Sequence, residues 1–191
     1  MSPKSYTLTS DEKATPVMVG TPHALIWGDL VTKVHVNIIA FLNTLAEDFV
    51  PLHDAKILFL APTQQQPPIE RAQIYVKLEE ILLFFAMNDA SELPQETEVR
   101  RFEPMEAIVG SFLIEGVILK SPIATVQNML LVSKDNYMPI YKAAVRHVAK
   151  PWLGTFTSNL VQFRRDQLIL SLKEVMAVQS ALGGQEGSTG F

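Results

Sequence analysis

One segment of this chain is used twice, and that fact limits its fold more than any other. Displacing the sequence by 88 residues lays LIWGDLV, from Leu25, on LIEGVIL, from Leu113. Without a gap, FVPLHDAKI, from Phe49, then falls on YMPIYKAAV, from Tyr137. The identities are Leu25 with Leu113, Ile26 with Ile114, Gly28 with Gly116, Leu42 with Leu130, Pro51 with Pro139 and Ala55 with Ala143. Conservative pairs such as Leu30 with Ile118, Ile38 with Val126, Phe49 with Tyr137 and Leu52 with Ile140 fill the intervals. Self-similarity at this spacing means one supersecondary unit built twice. Units of roughly 70 to 90 residues bury a smaller fraction of their surface than larger domains do and fold with thin margins, so the two are expected to pack together and share apolar surface. The expected division is an arm at 1–16, a first unit at 17–88, an acidic linker at 89–104, a second unit at 105–178 and a disordered tail at 179–191.

Within the first unit, 17–31 reads as a hairpin turning near Gly20, Thr21 and Pro22. Gly28 lies inside its second strand, where glycine marks a bulge or a close backbone approach; Gly116 predicts the same bend in the second unit. Ile38, Phe41, Leu42 and Leu45 have the spacing of one helix face, with Asn37 as candidate cap; Val126, Met129, Leu130 and Thr125 repeat the pattern. Residues 49–60 follow as a strand, with Pro51 near its beginning where a missing N–H is tolerated. Segments 72–77 and 81–87 are expected to form a hairpin around Leu78-Glu79-Glu80, and 155–163 and 167–173 its counterpart. Strand, strand, short helix and three more strands make the inventory of a small barrel. The expected fold is therefore mainly β with short helices: two tandem SH3- or Sm-like barrels in a pseudo-twofold relation. The structural positions of the repeat are Gly28 and Gly116, Pro51 and Pro139, and Ala55 and Ala143.

Net charge is −4 with no basic run, which removes the electrostatic footprint of a nucleic-acid binder. Cysteine is absent, which excludes disulfides, thiolate metal sites and cysteine nucleophiles. The polar N-terminus carries no signal-peptide pattern. The longest apolar run, 81–87, is far short of the ~18 residues of a membrane-spanning helix, so a cytoplasmic location is expected. Hydrophobic residues make up 48% of the chain and charged ones 19%. Few charges suit a surface that meets other proteins or itself; a well-filled double core accounts for the same figures.

The repeated residues resemble a family of small uncharacterised bacterial domains. Its pattern is I-x-G-x-L, then R-L-S-D-x-L-N, five residues, F-[LI]-P-L-T-D-A, and a closing V-x-V-N-x-x-x-I. The first unit resembles it at Ile26-Trp27-Gly28-Asp29-Leu30, at Phe41-Leu42-Asn43, at Phe49 to Ala55 and at Val76 to Ile81. The second keeps Ile114-Glu115-Gly116-Val117-Ile118 and Tyr137-Met138-Pro139-Ile140, with Leu131 in place of the Asn and Lys142 in place of the Asp. The polar R-L-S-D is replaced by Asn37 to Ala40 and by Thr125 to Asn128. The resemblance implies a fold and supplies no chemistry, since the family has no established activity.

Candidate chemistry is sparse. His23, His35, His53 and His147 show neither the i, i+4 spacing of a helical zinc site nor HExxH, and no phosphate-binding glycine motif or nucleophile elbow occurs. No catalytic residue, metal ligand or cofactor is assigned; a pocket lined by His53, Asp54 and Tyr141 between the units would be the place for an enzyme site. Asp54 is expected to accept backbone N–H bonds, and Asn43 to end a helix or serve a turn. Trp27 and Trp152 are candidate interface anchors, with Trp27 favoured because its counterpart, Glu115, belongs to a type seldom buried. Arg100-Arg101 and Arg164-Arg165 are candidate anion contacts, against the plainer role of solvated turn charges. The function expected is a non-enzymatic structural or adaptor protein that binds a protein partner or itself. The alternative is a sensor of a nucleotide or other anion built on the arginine pairs.

Overall fold

The computed structural model describes residues 4–60, 66–87 and 93–171. Among these, β1 (Glu12–Gly20), β2 (Ala24–Lys33), α1 (Ile38–Thr44), β3 (Phe49–Phe59), β4 (Ile69–Lys77) and β5 (Leu83–Ala86) make the first half. The second half contains β6 (Arg101–Val109), β7 (Phe112–Lys120), α2 (Val126–Val132), β8 (Tyr137–His147), β9 (Thr155–Arg164) and β10 (Leu168–Ser171). Short 3-10 turns, Leu78–Glu80 and Arg165–Gln167, precede the last strand of each half. The protein is mainly β. Helices α1 and α2 have the same length and lie 88 residues apart, as do β3 and β8. Asn37 and Thr125 cap the helices, accepting from the N–H groups of Ile39 and Asn128. Among the described residues no helix is long and apolar enough to cross a membrane.

The ten described strands join one antiparallel sheet in the order β10-β6-β7-β8-β9-β5-β1-β2-β3-β4. This corrects the expected topology in three ways. First, β4 and β5 do not form a hairpin, nor do β9 and β10. The 3-10 turn redirects the chain, so that β5 pairs with β1 and β10 with β6. Second, the sheet does not close into a barrel: β4 and β10 are both edges. Third, among the described residues the strands of the two halves meet once, through β5 and β9. A twofold would generate a matching β10–β4 junction, and that junction is not formed.

The core explains why the halves join. Neighbours on a strand face opposite sides of a sheet, and on β1 Met18 and Val19 are both fully buried. Val19 belongs to a first-half core with Leu30, Leu52, Ile81 and Phe84. Met18 joins Leu25, Leu83 and Phe85 in a second core with Phe112, Ile114, Ile140 and Phe163 of the other half. A strand buried on both faces reads as an unbroken apolar run, and all four residues of β5 are buried.

The bends predicted at the repeated glycines are present. Pairing slips between Trp27 and Asp29 on β2 and between Glu115 and Val117 on β7. Opposite these sites Asp54 and Lys142 take the left-handed region, with φ of 47° and 49°. The repeated alanines come next in the chain. Ala55 is buried in the first-half core and Ala143 in the second core. They resume the pairing with the strand that follows, Ala55 opposite Arg71 on β4 and Ala143 opposite Ser158 on β9. A methyl group suits a site where the neighbouring strand presses in at a glycine: a Cβ at Gly28 would lie 3.5 Å from Ala55 Cα. Pro51 and Pro139 stand two residues into β3 and β8, near the strand beginnings as expected. The boundaries of arm and linker move: β1 begins at Glu12, inside the segment expected as an arm, and β6 begins at Arg101, inside the expected linker. Residues 89–92 of that linker and the expected tail 179–191 lie outside the described residues.

Candidate interaction edges and the junction between the halves

The junction is built from the smallest pieces upward. Leu83 pairs with Phe163, Phe84 with Gln162 and Phe85 with Val161. The N–H of Arg164 adds a bond to the Leu82 carbonyl at 2.9 Å. Asn43, at the end of α1, clamps the first residue of β8. Its Nδ2 donates to the Tyr137 carbonyl at 2.8 Å, and its Oδ1 accepts from the Tyr137 N–H at 2.9 Å. The Tyr137 hydroxyl donates to the Leu78 carbonyl at 2.5 Å, in the 3-10 turn of the first half. Burial pushes that phenol up to about 12, so it remains a donor at neutral pH. Gln162 is fully buried, and its Nε2 donates to the Ile38 carbonyl at 2.6 Å. Asn43 is thus a helix-end residue as expected, but its amide serves the other half of the chain.

The open edges look different. On β4, Ile69 and Tyr75 are exposed, and on β10 Ile169 is exposed. Phe49, beside the β4 edge, and Leu131 and Val132, on α2, are also exposed. Apolar side chains along unpaired strand edges favour association.

The tryptophans divide against the sequence expectation. Trp27 is half-buried and rests on the core shared by the two halves, whereas Trp152, in a 3-10 turn before β9, is 48% exposed. Glu115, the counterpart of Trp27, approaches Arg146 at 3.7 Å.

The four arginines are not gathered into one site. Arg100 lies in the turn that precedes β6 and Arg101 starts that strand, both exposed. Arg164 forms a two-pronged pair with Asp166, at 2.6 and 2.8 Å. Arg165 donates to the carbonyls of Leu130, at 3.1 Å, and Ser133, at the end of α2. Two of the four guanidinium groups are therefore already engaged.

His53, Asp54 and Tyr141 do not converge either. His53 packs at a tilt against Tyr6, with ring centres 5.0 Å apart, while Tyr141 packs against Phe102 at 5.7 Å. The cleft between the halves, about 310 Å³, is lined instead by residues including Asp48, Lys77, Glu79, Tyr137 and Arg164. Among the described residues no group of three or more His, Asp or Glu side chains could hold a metal ion.

Nothing in the sequence pattern marks a carboxylate pair that holds the N-terminal segment. Asp29 is buried beside the bend at Gly28. It accepts from the Tyr6 hydroxyl at 2.8 Å and pairs with the Lys4 ammonium. Asp54 accepts from the Ser5 N–H at 3.1 Å; the Ser5 side chain first, and then this N–H, hold its carboxyl below the usual range. The bond to a backbone N–H was expected of Asp54; its origin in residue 5 was not. Val117 and Lys142 stand at the matching sites of the second half, so that half has no such pair.

His147 carries a pH signature. It is buried at the end of β8, edge-on to Phe112, and its Nδ1 has no hydrogen-bond partner among the described residues. Burial, and then the Lys150 charge, lower its pKa. The unfolded chain therefore binds a proton that the folded chain resists. Stability from this group is complete above the unfolded value of about 6.5 and is lost as pH falls from there towards the lowered folded value. The urea midpoint of the native chain is expected to drop from pH 8 to pH 5.5, and His147→Phe to flatten that slope; equal slopes in the two proteins would refute the assignment. Comparison with protein families, curated proteins and solved structures gives no match.

Proposed function

We propose that this chain is a non-enzymatic structural or adaptor protein of the cytoplasm, built from two tandem five-stranded β units that bind protein through their sheet edges. The observation that carries the reading is the contrast between β9–β5, a strand-edge contact already made within the chain, and the apolar-flanked edges β4 and β10, which pair with no further strand among the described residues. Pairing to a sheet edge supplies main-chain hydrogen bonds, and the flanking side chains supply selectivity. The recurring order of five strands, with a 3-10 turn before the last in each half, supports descent from one duplicated unit. The engagement of Arg164 by Asp166 and of Arg165 by helix carbonyls favours this reading over an anion sensor.

Two affinity baits test it: the native chain and a Tyr75→Lys/Ile169→Lys double variant, both offered an extract of the source cells. Proteins, including the chain itself, are expected on the native bait and lost from the variant. The same set on both would overturn the edge reading. A rise in melting temperature with a nucleotide, by the binding linkage, would favour the sensor instead.

A further inference from the structure

We infer that the partner of the β4 edge is the β10 edge of a second copy of this chain, so that molecules join head to tail by repeating between chains the β9–β5 junction made within one. This rests on the edge-binding reading above and names its partner.

The register follows from residues already placed. Pro51 faces Tyr75 on β4, and Pro139, its counterpart, faces Gln162 on β9; Tyr75 therefore occupies the place of Gln162, and Val76 that of Phe163. Gly20 pairs with Leu25 and Leu83, while Ile108 pairs with Leu113 and Ile169; Ile169 therefore occupies the place of Leu83. The internal pairs Leu83↔Phe163 and Phe84↔Gln162 become Ile169↔Val76 and Leu170↔Tyr75 between chains. A residue opposite proline receives no N–H bond from it, so the polar groups of Tyr75 point away from β3. They face the open edge, as those of Gln162 face β5.

Exposure reverses at matched positions. Gln162 and Leu83 are 0% exposed, whereas Tyr75 is 65% and Ile169 is 64% exposed. Tyr137 is 2% exposed and Phe49, its counterpart, 45%. The clamp changes chemistry consistently: Asn43 and Tyr137 meet through polar groups within the chain, while the matching Leu131 and Phe49 are both apolar and exposed. An Asn-to-Leu change on one side and loss of the tyrosine hydroxyl on the other suit the same contact made without that polar network. The broad face is less apolar. Met18 lies in the core shared by the two halves and Trp27 rests on it, whereas their counterparts are Glu106 and Glu115. The contact between chains is therefore confined to the edge and the helix end, and is weaker than the internal junction. Because the two edges differ, the contact is heterologous and propagates to a ring or a filament.

The test uses full-length chains and light scattering over a concentration series. Tyr75→Pro removes the outward N–H on β4 and leaves β10 intact; Ile169→Lys charges β10 and leaves β4 intact. The native chain is expected to gain mass with concentration to species beyond two chains or to a closed ring. Each variant alone is expected at single-chain mass with native circular dichroism, and their mixture to form two-chain species and nothing larger. If Tyr75→Pro fails to fold, Tyr75→Lys replaces it, since this side chain is exposed in the single chain. A native chain of single-chain mass at every concentration overturns the inference, as does a variant that assembles like the native chain or a mixture that stays at single-chain mass. A native chain that stays single yet loses extract partners with Tyr75→Lys/Ile169→Lys refutes the self-directed contact alone. Loss of neither would refute the edge reading itself.

Discussion

Phe163→Ala is expected to destabilise the chain by ~3–5 kcal/mol and to lower the unfolding midpoint of both halves together. Phe163 has no exposed surface and sits on β9 between Met138 of its own half and Leu83 of the other. Its ring belongs to the core that also holds Met18, Leu25 and Phe85 of the first half. Removing it opens a cavity at the seam, where each half supplies the other's buried surface. The tryptophans provide one reporter per half, Trp27 on β2 and Trp152 before β9. Urea unfolding of Trp152→Phe then reports the first half and that of Trp27→Phe the second. Coincident transitions are the mark of a single cooperative unit, and Phe163→Ala is expected to move both midpoints equally. A shift confined to the Trp152 signal would mean that the halves are separate domains.

What was legible in the sequence follows its local physics. The spacing of Ile38, Phe41 and Leu42, with Asn37 before them, gave α1 because helix periodicity and capping are properties of neighbouring residues. Gly28 and Gly116 announced their bends because a missing Cβ inside an apolar strand has few other uses. Strand partnership is a long-range property, and there the reading failed. Leu78-Glu79-Glu80 between two apolar runs resembles a hairpin turn, yet it is a 3-10 corner that sends β5 to β1 and β9. A signal for this was present: ILLFFAM, from Ile81, has no alternation, and an outer hairpin strand with one wet face should alternate. The candidate site divides in the same way. Arginine pairs and tryptophans attract notice as residue types, but their neighbours settle their roles. The clamp of Asn43 on Tyr137 is ordinary residue by residue. It becomes visible only when both are set beside Leu131 and Phe49 of the other copy.

Gly116→Ala is expected to cost ~1–3 kcal/mol as an overpacking change, and Gly28→Ala less. The two sites share one geometry. Each glycine lets its strand press against the neighbour where Asp54 or Lys142 turns left-handed, and each faces a carbonyl from that neighbour. An added Cβ would lie 2.8 Å from the Tyr141 oxygen at Gly116 and 2.9 Å from the His53 oxygen at Gly28. The carbonyl contribution is thus nearly the same, and the difference comes from the side chain beside it. At Gly116 the new methyl also meets Ile140 Cγ1 at 2.8 Å; at Gly28 it meets Leu52 Cβ at 3.2 Å. Ile140 is branched and fully buried, and its Cδ1 would also lie 3.0 Å from the new methyl. Urea midpoints for the two single variants measure the difference. Equal losses would mean that the carbonyl alone sets the penalty. In that case Ile140→Ala would add its own cost in full to Gly116→Ala, whereas a steric clash with Ile140 predicts a double variant less destabilised than the sum of the singles.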